Sequence, residues 1–171
     1  MKFLSAFSSL LLILSLFACA GYQLGGTKPT ALAHVDRLQV PLAKNSTQIP
    51  RAAAFVTNGV VDALVRDGTY RLGTADSAQA RLEVEFHEVN FRALRTDREN
   101  RLRPEELSMT IRLRWKVVDS ADPLKVLDSG VSTGRTTYFA DANLQTAQQA
   151  ALNDAIQRAA VSLVARLADG F

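Results

Sequence analysis

Residues 107–117 read LSMTIRLRWKV, and apolar and polar side chains alternate along the whole segment. Because successive side chains of a β-strand point to opposite faces, this period of two predicts a strand with one buried face and one solvated face. The apolar face consists of Leu107, Met109, Ile111, Leu113, Trp115 and Val117. The polar face includes Arg112, Arg114 and Lys116, so it is strongly basic.

A second alternating segment lies upstream, between residues 80 and 95. Its inward set is Leu82, Val84 and Phe86, and its outward set is Arg81, Glu83 and Glu85. The phase slips after His87, where Val89 and Phe91 are apolar, and such a slip predicts a β-bulge. The two segments together predict a long hairpin, and a last strand is predicted between residues 124 and 139.

Apolar residues spaced by three and four predict two helices. The first stripe contains Ala52, Phe55, Val56, Gly59, Val60, Ala63 and Leu64, and the second contains Leu152, Ile156, Ala159, Leu163 and Leu167. Pro50 suits the first turn of the first helix, which Ser46 or Thr47 is predicted to cap. Asp141 or Asn143 is predicted to cap the second helix.

With a first short strand at residues 35–41, the order of elements is β-α-β-β-β-α. This order predicts an α+β fold, a two-layer sandwich in which a mixed four-stranded sheet carries both helices on one face. The other face of the sheet, which carries the charged side chains of both hairpin strands, is left without helices. It is expected to meet water or a partner.

The N-terminus has the features of an export signal. Lys2 precedes an apolar run at residues 10–17, which has the length of a cleaved signal peptide and is too short to span a bilayer. The run ends in Leu16-Phe17-Ala18-Cys19, which resembles the lipobox of bacterial lipoproteins, where the cysteine thiol receives diacylglycerol. We therefore predict a lipoprotein signal peptide at residues 1–18 and lipidation of Cys19. The alternative is an ordinary secretory signal with a cysteine at its end.

Lipidation also accounts for the single cysteine, because an unpaired cysteine in an exported protein otherwise needs a partner. The glycine-rich residues 19–34 are predicted to form a flexible, lipid-anchored tether, and residues 35–171 a single α/β domain. Ala20 follows the cysteine. Enterobacterial lipoproteins that stay in the inner membrane carry an aspartate there, so this alanine favours the outer membrane.

Positive charge is concentrated in one segment. The sequence has 20 basic and 17 acidic residues, and loss of Lys2 with the signal peptide lowers the net charge from +3 to +2, which argues against a nucleic-acid binder. The predicted hairpin end carries Arg92, Arg95, Arg98, Arg101 and Arg103 against Asp97 and Glu99. Guanidinium groups suit bidentate contacts with phosphate, so this end predicts a site for a multiply anionic ligand. The alternative is a solvated loop with local ion pairs.

Residues 130–134 match the G-x-S-x-G pattern of a serine hydrolase, but the context argues against an enzyme. That motif needs a helix after Ser132, whereas residues 135–139 are typical of a strand, and both histidines precede the serine. Gly130 and Gly134 are instead expected at a bulge or at a close approach of another backbone. No spacing of histidine, cysteine and carboxylates indicates a metal site, and no cofactor is predicted.

The chain as a whole resembles the LptE family of lipopolysaccharide-assembly lipoproteins. The resemblance is carried by Cys19 followed by Gly21-Tyr22-Gln23-Leu24, by the order of elements, by the long hairpin from Leu82 to Val117 and by the alanine-rich last helix. It implies a non-enzymatic protein anchored on the periplasmic side of the outer membrane. Such a protein plugs the lumen of the β-barrel LptD, helps it to fold, and takes part in delivering lipopolysaccharide to the cell surface.

The resemblance also implies that lipopolysaccharide contacts lie on basic residues toward one end of the sheet, where Arg92 and Arg95 are the nearest matches. The arginine-rich hairpin is longer than the family pattern, and residues 138–146 carry no basic side chain. The helix-free face with Arg112, Arg114 and Lys116 is the predicted surface toward the barrel. The alternative function is a lipid-tethered periplasmic adaptor that activates a peptidoglycan synthase or forms part of a secretion pore.

Overall fold

The structure is a computed structural model that describes residues 28–96, 104–140 and 143–170. After a short 3₁₀ turn at Thr30–Leu32, the elements are β1 (Arg37–Gln39), β2 (Lys44–Asn45), α1 (Ala52–Asp67), β3 (Arg71–Leu72), β4 (Ala80–Thr96), β5 (Pro104–Asp119), β6 (Val126–Phe139) and α2 (Leu144–Asp169). Both helices bury their apolar stripes against the same face of the sheet in one continuous core. The predicted two-layer α+β sandwich is therefore confirmed.

The sheet is mixed, as predicted, but it has six strands and not four. Its order is β3-β1-β4-β5-β6, and β2 also pairs with β4. Both β1 and β2 run parallel to β4 along one edge, β1 beside Ala80 and β2 beside Glu85. The predicted first strand, residues 35–41, is thus β1 alone and ends before Pro41, which has no N–H to donate to the ladder. Strand β2 lies after it, in a segment that was not predicted to form a strand. The other extra strand, β3, adds two residues beside β1.

The long hairpin is formed by β4 and β5, which are 17 and 16 residues long. Their antiparallel register shifts between Phe86 and Glu88, which leaves His87 as the extra residue of a bulge. This is the bulge that the phase slip predicts. A second shift follows between Ala93 and Arg95, near the end of the hairpin.

Helix α2 packs so closely on β6 that only glycine fits between them. A Cβ atom at Gly134 would overlap the carbonyl oxygen of Ala155 and lie 2.8 Å from the backbone nitrogen of Ala159. A Cβ atom at Gly59 of α1 would likewise lie 3.0 Å from Cγ2 of Ile156. The close backbone approach predicted for Gly134 is confirmed, and it explains why α2 is rich in alanine.

The start of α1 differs from the prediction. Arg51 precedes the helix in the left-handed conformation, with φ of 59°, and no side chain caps the first turn. Ser46 and Thr47 are not caps because their hydroxyl groups bind elsewhere, Ser46 to Glu85 and Thr47 to Asn45. In α2, Asn143 is the N-cap position, and Asp141 lies outside the described residues.

The chain that leads into β1 is fixed to the domain. Residues 28–34 belong to the predicted tether 19–34, yet Leu32 is fully buried, and Nζ of Lys28 donates to the carbonyl oxygen of Val35 at 2.8 Å. The same Nζ lies 5.0 Å from the centre of the Tyr70 ring. The signal peptide, Cys19 and the tether up to residue 27 lie outside the described residues. None of the described helices is both long and apolar enough to cross a membrane.

The close packing at Gly134 predicts that adding a single methyl group there strongly lowers the stability of the fold. Gly134→Ala should lower the free energy of unfolding by about 3 kcal/mol, because the added Cβ displaces the α2 backbone. Chemical denaturation of the purified protein measures this change. Thr133→Ala, at the exposed neighbouring position, is the control and should cost less than about 1 kcal/mol. Equal stability of the two variants would contradict the packing described here.

Tyr70 predicts a pH dependence of stability. Its hydroxyl donates to the carbonyl oxygen of Leu167 at 2.7 Å. Burial, together with the negative charges of Asp128 and Asp67, raises the pKa of Tyr70 to about 12 from its ordinary value of 10.0. The unfolded chain therefore ionises first, and this contribution to stability is complete below pH 10 and lost as the pH rises toward 12.

Tyr70→Phe removes both the hydrogen bond and the titration. We expect the variant to be about 1 kcal/mol less stable than the wild type up to pH 10. The difference should then shrink between pH 10 and 12, because only the wild type loses the contribution of this hydroxyl. Denaturation curves measured at intervals of pH check this, and a constant difference across the range would refute it.

Candidate functional site

The helix-free face is the side of the sheet opposite the two helices, formed by the outward side chains of β2, β4, β5 and β6. Its basic side chains are Lys44, Arg81, Arg92, Arg95, Arg112, Arg114, Lys116 and Arg135. Its carboxylates are Glu83, Glu85, Glu88 and Glu106. Basic groups thus outnumber carboxylates two to one, and the predicted partner-facing residues Arg112, Arg114 and Lys116 are all exposed in the middle of this face.

Several charges on this face are paired across strands. Glu83 lies between Arg81, at 2.9 Å, and Lys116, at 3.0 Å. Glu88 accepts from Arg112 at 3.1 Å. These pairs are exposed, so each contributes little to stability, but together they hold the long side chains in fixed positions. Glu83 and Glu88 are therefore ion-pair partners of basic residues on the same face.

Glu85 has a different partner from the one that its register suggests. It lies opposite Arg114, but its carboxylate accepts a hydrogen bond from the hydroxyl of Ser46, at 2.5 Å. This hydrogen bond is the main reason why the pKa of Glu85 is below its ordinary value, with smaller contributions from the charges of Lys44 and His87. Arg114 forms no ion pair within the described part of the chain. Its guanidinium group is available to an external anion.

The hairpin end of this face gathers three arginines in the described part of the chain. Arg92 lies opposite Ser108, and Arg95 lies opposite Glu106. The third is Arg135 of β6, whose Nε donates to the hydroxyl of Ser108 at 3.0 Å. The remaining candidates, Arg98, Arg101 and Arg103, lie outside the described residues.

Sequence reasoning missed Arg135 as part of this cluster. The signal was present, because Val131, Thr133, Arg135 and Thr137 alternate with the inward residues of β6 and are all outward. Only the pairing of β5 with β6 brings this arginine next to Ser108, and the strand pairing was not known from the sequence.

An apolar cavity opens at the same end, on the inner side of the sheet. It has a volume of about 330 Å³ and lies between the sheet and the first turns of both helices. Its apolar walls are Ile49, Pro50, Phe55, Phe91, Met109 and Leu152, and its polar lining consists of Gln48, Gln145, Gln148 and Gln149. None of the described residues that line it is charged.

Ser132 does not occupy a nucleophile position. It lies in the middle of the continuous strand β6, is buried on the inner face, and accepts a hydrogen bond from Nε1 of Trp115 at 3.1 Å. A nucleophile elbow is a sharp turn between a strand and a helix, so the G-x-S-x-G match is incidental here. Within the described ranges, no group of three or more histidine, cysteine or carboxylate side chains is placed to hold a metal ion.

Comparison with known proteins gives one family and a set of similar folds. The family model described as LptE, lipopolysaccharide-assembly, matches residues 35–167. Comparison with curated proteins gives no match.

Three solved structures illustrate the shared fold. The hypothetical protein CT253 from Chlamydia trachomatis is 9% identical with a TM-score of 0.55, over 77% of this chain and 94% of that one. Protein XCC0632 from Xanthomonas campestris is 16% identical with a TM-score of 0.52, over 76% and 81% of the two chains. A minor lipoprotein from Acinetobacter baumannii is 10% identical with a TM-score of 0.51, over 77% and 91%. At these identities the likeness concerns the fold alone.

Proposed function

Because the chain belongs to the LptE lipopolysaccharide-assembly family, we propose that it is an outer-membrane lipoprotein that plugs and helps to assemble the barrel LptD and takes part in delivering lipopolysaccharide. In this proposal Cys19 carries the lipid, residues 1–18 are the cleaved signal peptide, and the domain lies on the periplasmic side. The protein performs no catalytic step. It acts by binding a protein partner and an anionic lipid.

The observation that carries the barrel role is the helix-free face. A whole side of the sheet presents charged groups to the exterior, and its apolar exposed side chains are few, notably Val131 and Phe139. The lumen of an outer-membrane barrel is polar, so a plug needs an outer surface that offers charges and hydrogen bonds. Arg112, Arg114 and Lys116 stand at the centre of this surface on one strand, and they are the proposed contacts with the barrel.

The lipopolysaccharide role is supported by the arginines at the hairpin end. Arg92 and Arg135 flank Ser108 from two strands, and Arg95 follows on β4. Guanidinium groups bind phosphate through two parallel hydrogen bonds, and lipopolysaccharide is a multiply phosphorylated lipid. We propose Arg92 and Arg95, with Arg135 beside them, as its phosphate contacts. Arg98, Arg101 and Arg103 are further candidates on the same hairpin.

Recovery of the barrel tests the plug role. We expect a large β-barrel to copurify at equal stoichiometry with the lipoprotein expressed in its own host. The triple variant R112E/R114E/K116E should recover at least about tenfold less barrel, because it places like charges against the lumen and breaks the pairs with Glu83 and Glu88. Mass spectrometry of the solubilised complex measures the ratio.

The matched control is R66E/K125E/R158E, which reverses two exposed arginines of the helices and an exposed lysine of the turn before β6, and which also breaks two exposed ion pairs. This control should recover the barrel as well as the wild type does. Recovery of a peptidoglycan synthase or of a homo-oligomeric pore in place of a barrel would refute the plug role and favour the adaptor.

Lipopolysaccharide binding tests the arginine cluster. Arg92→Ala and Arg95→Ala should each weaken binding about tenfold, the size expected when a charged hydrogen bond is lost. The lysine variants at the same positions should recover only part of this affinity, because lysine cannot form the bidentate contact. Titration of the purified lipoprotein with lipopolysaccharide measures the affinities, and Arg66→Ala on α1 is the control. Unchanged affinity in both alanine variants would remove the phosphate site.

A further inference from the structure

We propose that the cavity at the hairpin end holds one acyl chain of the lipopolysaccharide whose phosphates bind the nearby arginines. This inference rests on the proposed function and adds to it a site for the apolar part of the ligand. It gives the inner side of the sheet a binding role, whereas the phosphate contacts lie on the outer side.

The floor of the cavity suits a hydrocarbon chain. Met109 and Leu152 are buried and form its deep wall, and Phe55 and Ile49 close its sides. Phe91 forms the outer wall and is 45% exposed, an unusual degree for a phenylalanine that lies beside a core. Each methylene group that leaves water for such a site raises affinity about fourfold. An acyl chain would cover the apolar surface that is now exposed at Phe91.

The mouth of the cavity suits the linkage of such a chain. Glutamine amides are the polar groups around it, contributed by Gln48 before α1 and by Gln145, Gln148 and Gln149 in α2. An amide both donates and accepts hydrogen bonds, so it matches the ester and amide groups that join acyl chains to a sugar. Among the described residues, the lining has no cation for a free carboxylate, so an esterified or amide-linked chain fits this lining better than a fatty acid does.

The free edge of β4 allows one molecule to reach both sides of the sheet. β2 pairs with β4 only as far as Phe86, and beyond it the described residues place no strand on that edge. Phe91 and Arg92 are consecutive residues of β4, so their side chains point to opposite faces of the sheet. Phe91 lines the cavity, and Arg92 lies on the helix-free face. An amphiphile that passes around this edge places its acyl chain beside Phe91 and its phosphate beside Arg92.

The protein's own lipid is a poor occupant for geometric reasons. Pro29 lies beside Gly170 at the C-terminal end of α2, whereas the cavity is lined by the first turns of this helix. The 26 residues of α2 span about 39 Å. The chain from Cys19 to Lys28 reaches about 30 Å when fully extended. To reach the cavity, this segment would have to run straight along α2 and draw an acyl chain of the protein's own lipid out of the membrane.

Site-specific photocrosslinking in the native host tests the inference with the full-length lipoprotein. p-Benzoylphenylalanine replaces Phe91 in one strain and Leu94 in the other. Leu94 is the matched control because it lies on the same strand, is 44% exposed and does not line the cavity. A second pair uses Gln148, at the mouth, and Gln157, a half-buried glutamine of α2 outside the cavity, in case the change at Phe91 disturbs packing.

We expect adducts with lipopolysaccharide at positions 91 and 148, attached through an acyl carbon, and at least about tenfold fewer at positions 94 and 157. Mass spectrometry of the purified adducts identifies the lipid and the point of attachment. Adducts only with phospholipid, or only through the sugar, would overturn the inference.

Copurification of the barrel separates this inference from the proposed function. If the barrel is recovered with the substituted proteins and neither position 91 nor position 148 gives a lipopolysaccharide adduct, the acyl site is wrong and the plug role stands. If even the unsubstituted protein recovers no barrel and binds no lipopolysaccharide, the proposed function fails, and the acyl site fails with it.

Discussion

The architecture depends on the direct contact between the backbone of α2 and strand β6 at Gly134. No side chain separates the Ala155 carbonyl from this strand, so the helix lies closer to the sheet than the usual packing distance allows. Helix α2 also packs closely against α1 at Gly59, where a Cβ atom would lie 3.0 Å from Cγ2 of Ile156 and 3.9 Å from Cβ of Ala160. The two helices thus fit as one thin layer on a single face, and the other face of the sheet keeps its charged side chains in solvent.

The same packing determines where the two candidate surfaces lie. The helices begin at Ala52 and Leu144, but β4 and β5 continue past these points toward residues 96 and 104. Within the described residues, the end of the hairpin extends past the helices, and the apolar cavity opens there on the inner side. Arg92 and Arg95 lie on the outer side of the same end, so apolar and basic groups are close together there.

Much of the fold was predictable from the sequence, because many of its features depend on residues that are close together in the chain. The alternation of apolar and polar residues determines the two faces of β4 and β5, and its interruption at His87 indicates the bulge. Both features depend only on residues that are neighbours in the chain. Three features depend instead on which strands are neighbours in space: the short strands β2 and β3, the hydrogen bond from Ser46 to Glu85, and the position of Arg135 beside Ser108. The cavity depends on where the helices begin, and the start of α1 at a left-handed Arg51 follows no local capping signal.

The contacts of Lys28 and Pro29 lie at one end of the domain, at a defined distance from the arginines at the other end. They fix the point where the chain toward Cys19 leaves the domain, beside the last turn of α2 and the start of β4, while the arginines lie at the other end of β4. Since a strand rises about 3.3 Å per residue, Arg92 and Arg95 lie roughly 40 to 50 Å from the start of β4 at Ala80. The number of residues in the two hairpin strands therefore determines how far these arginines lie from the start of β4. Adding two residues to each strand would shift the arginines outward by about 7 Å without changing which face they occupy.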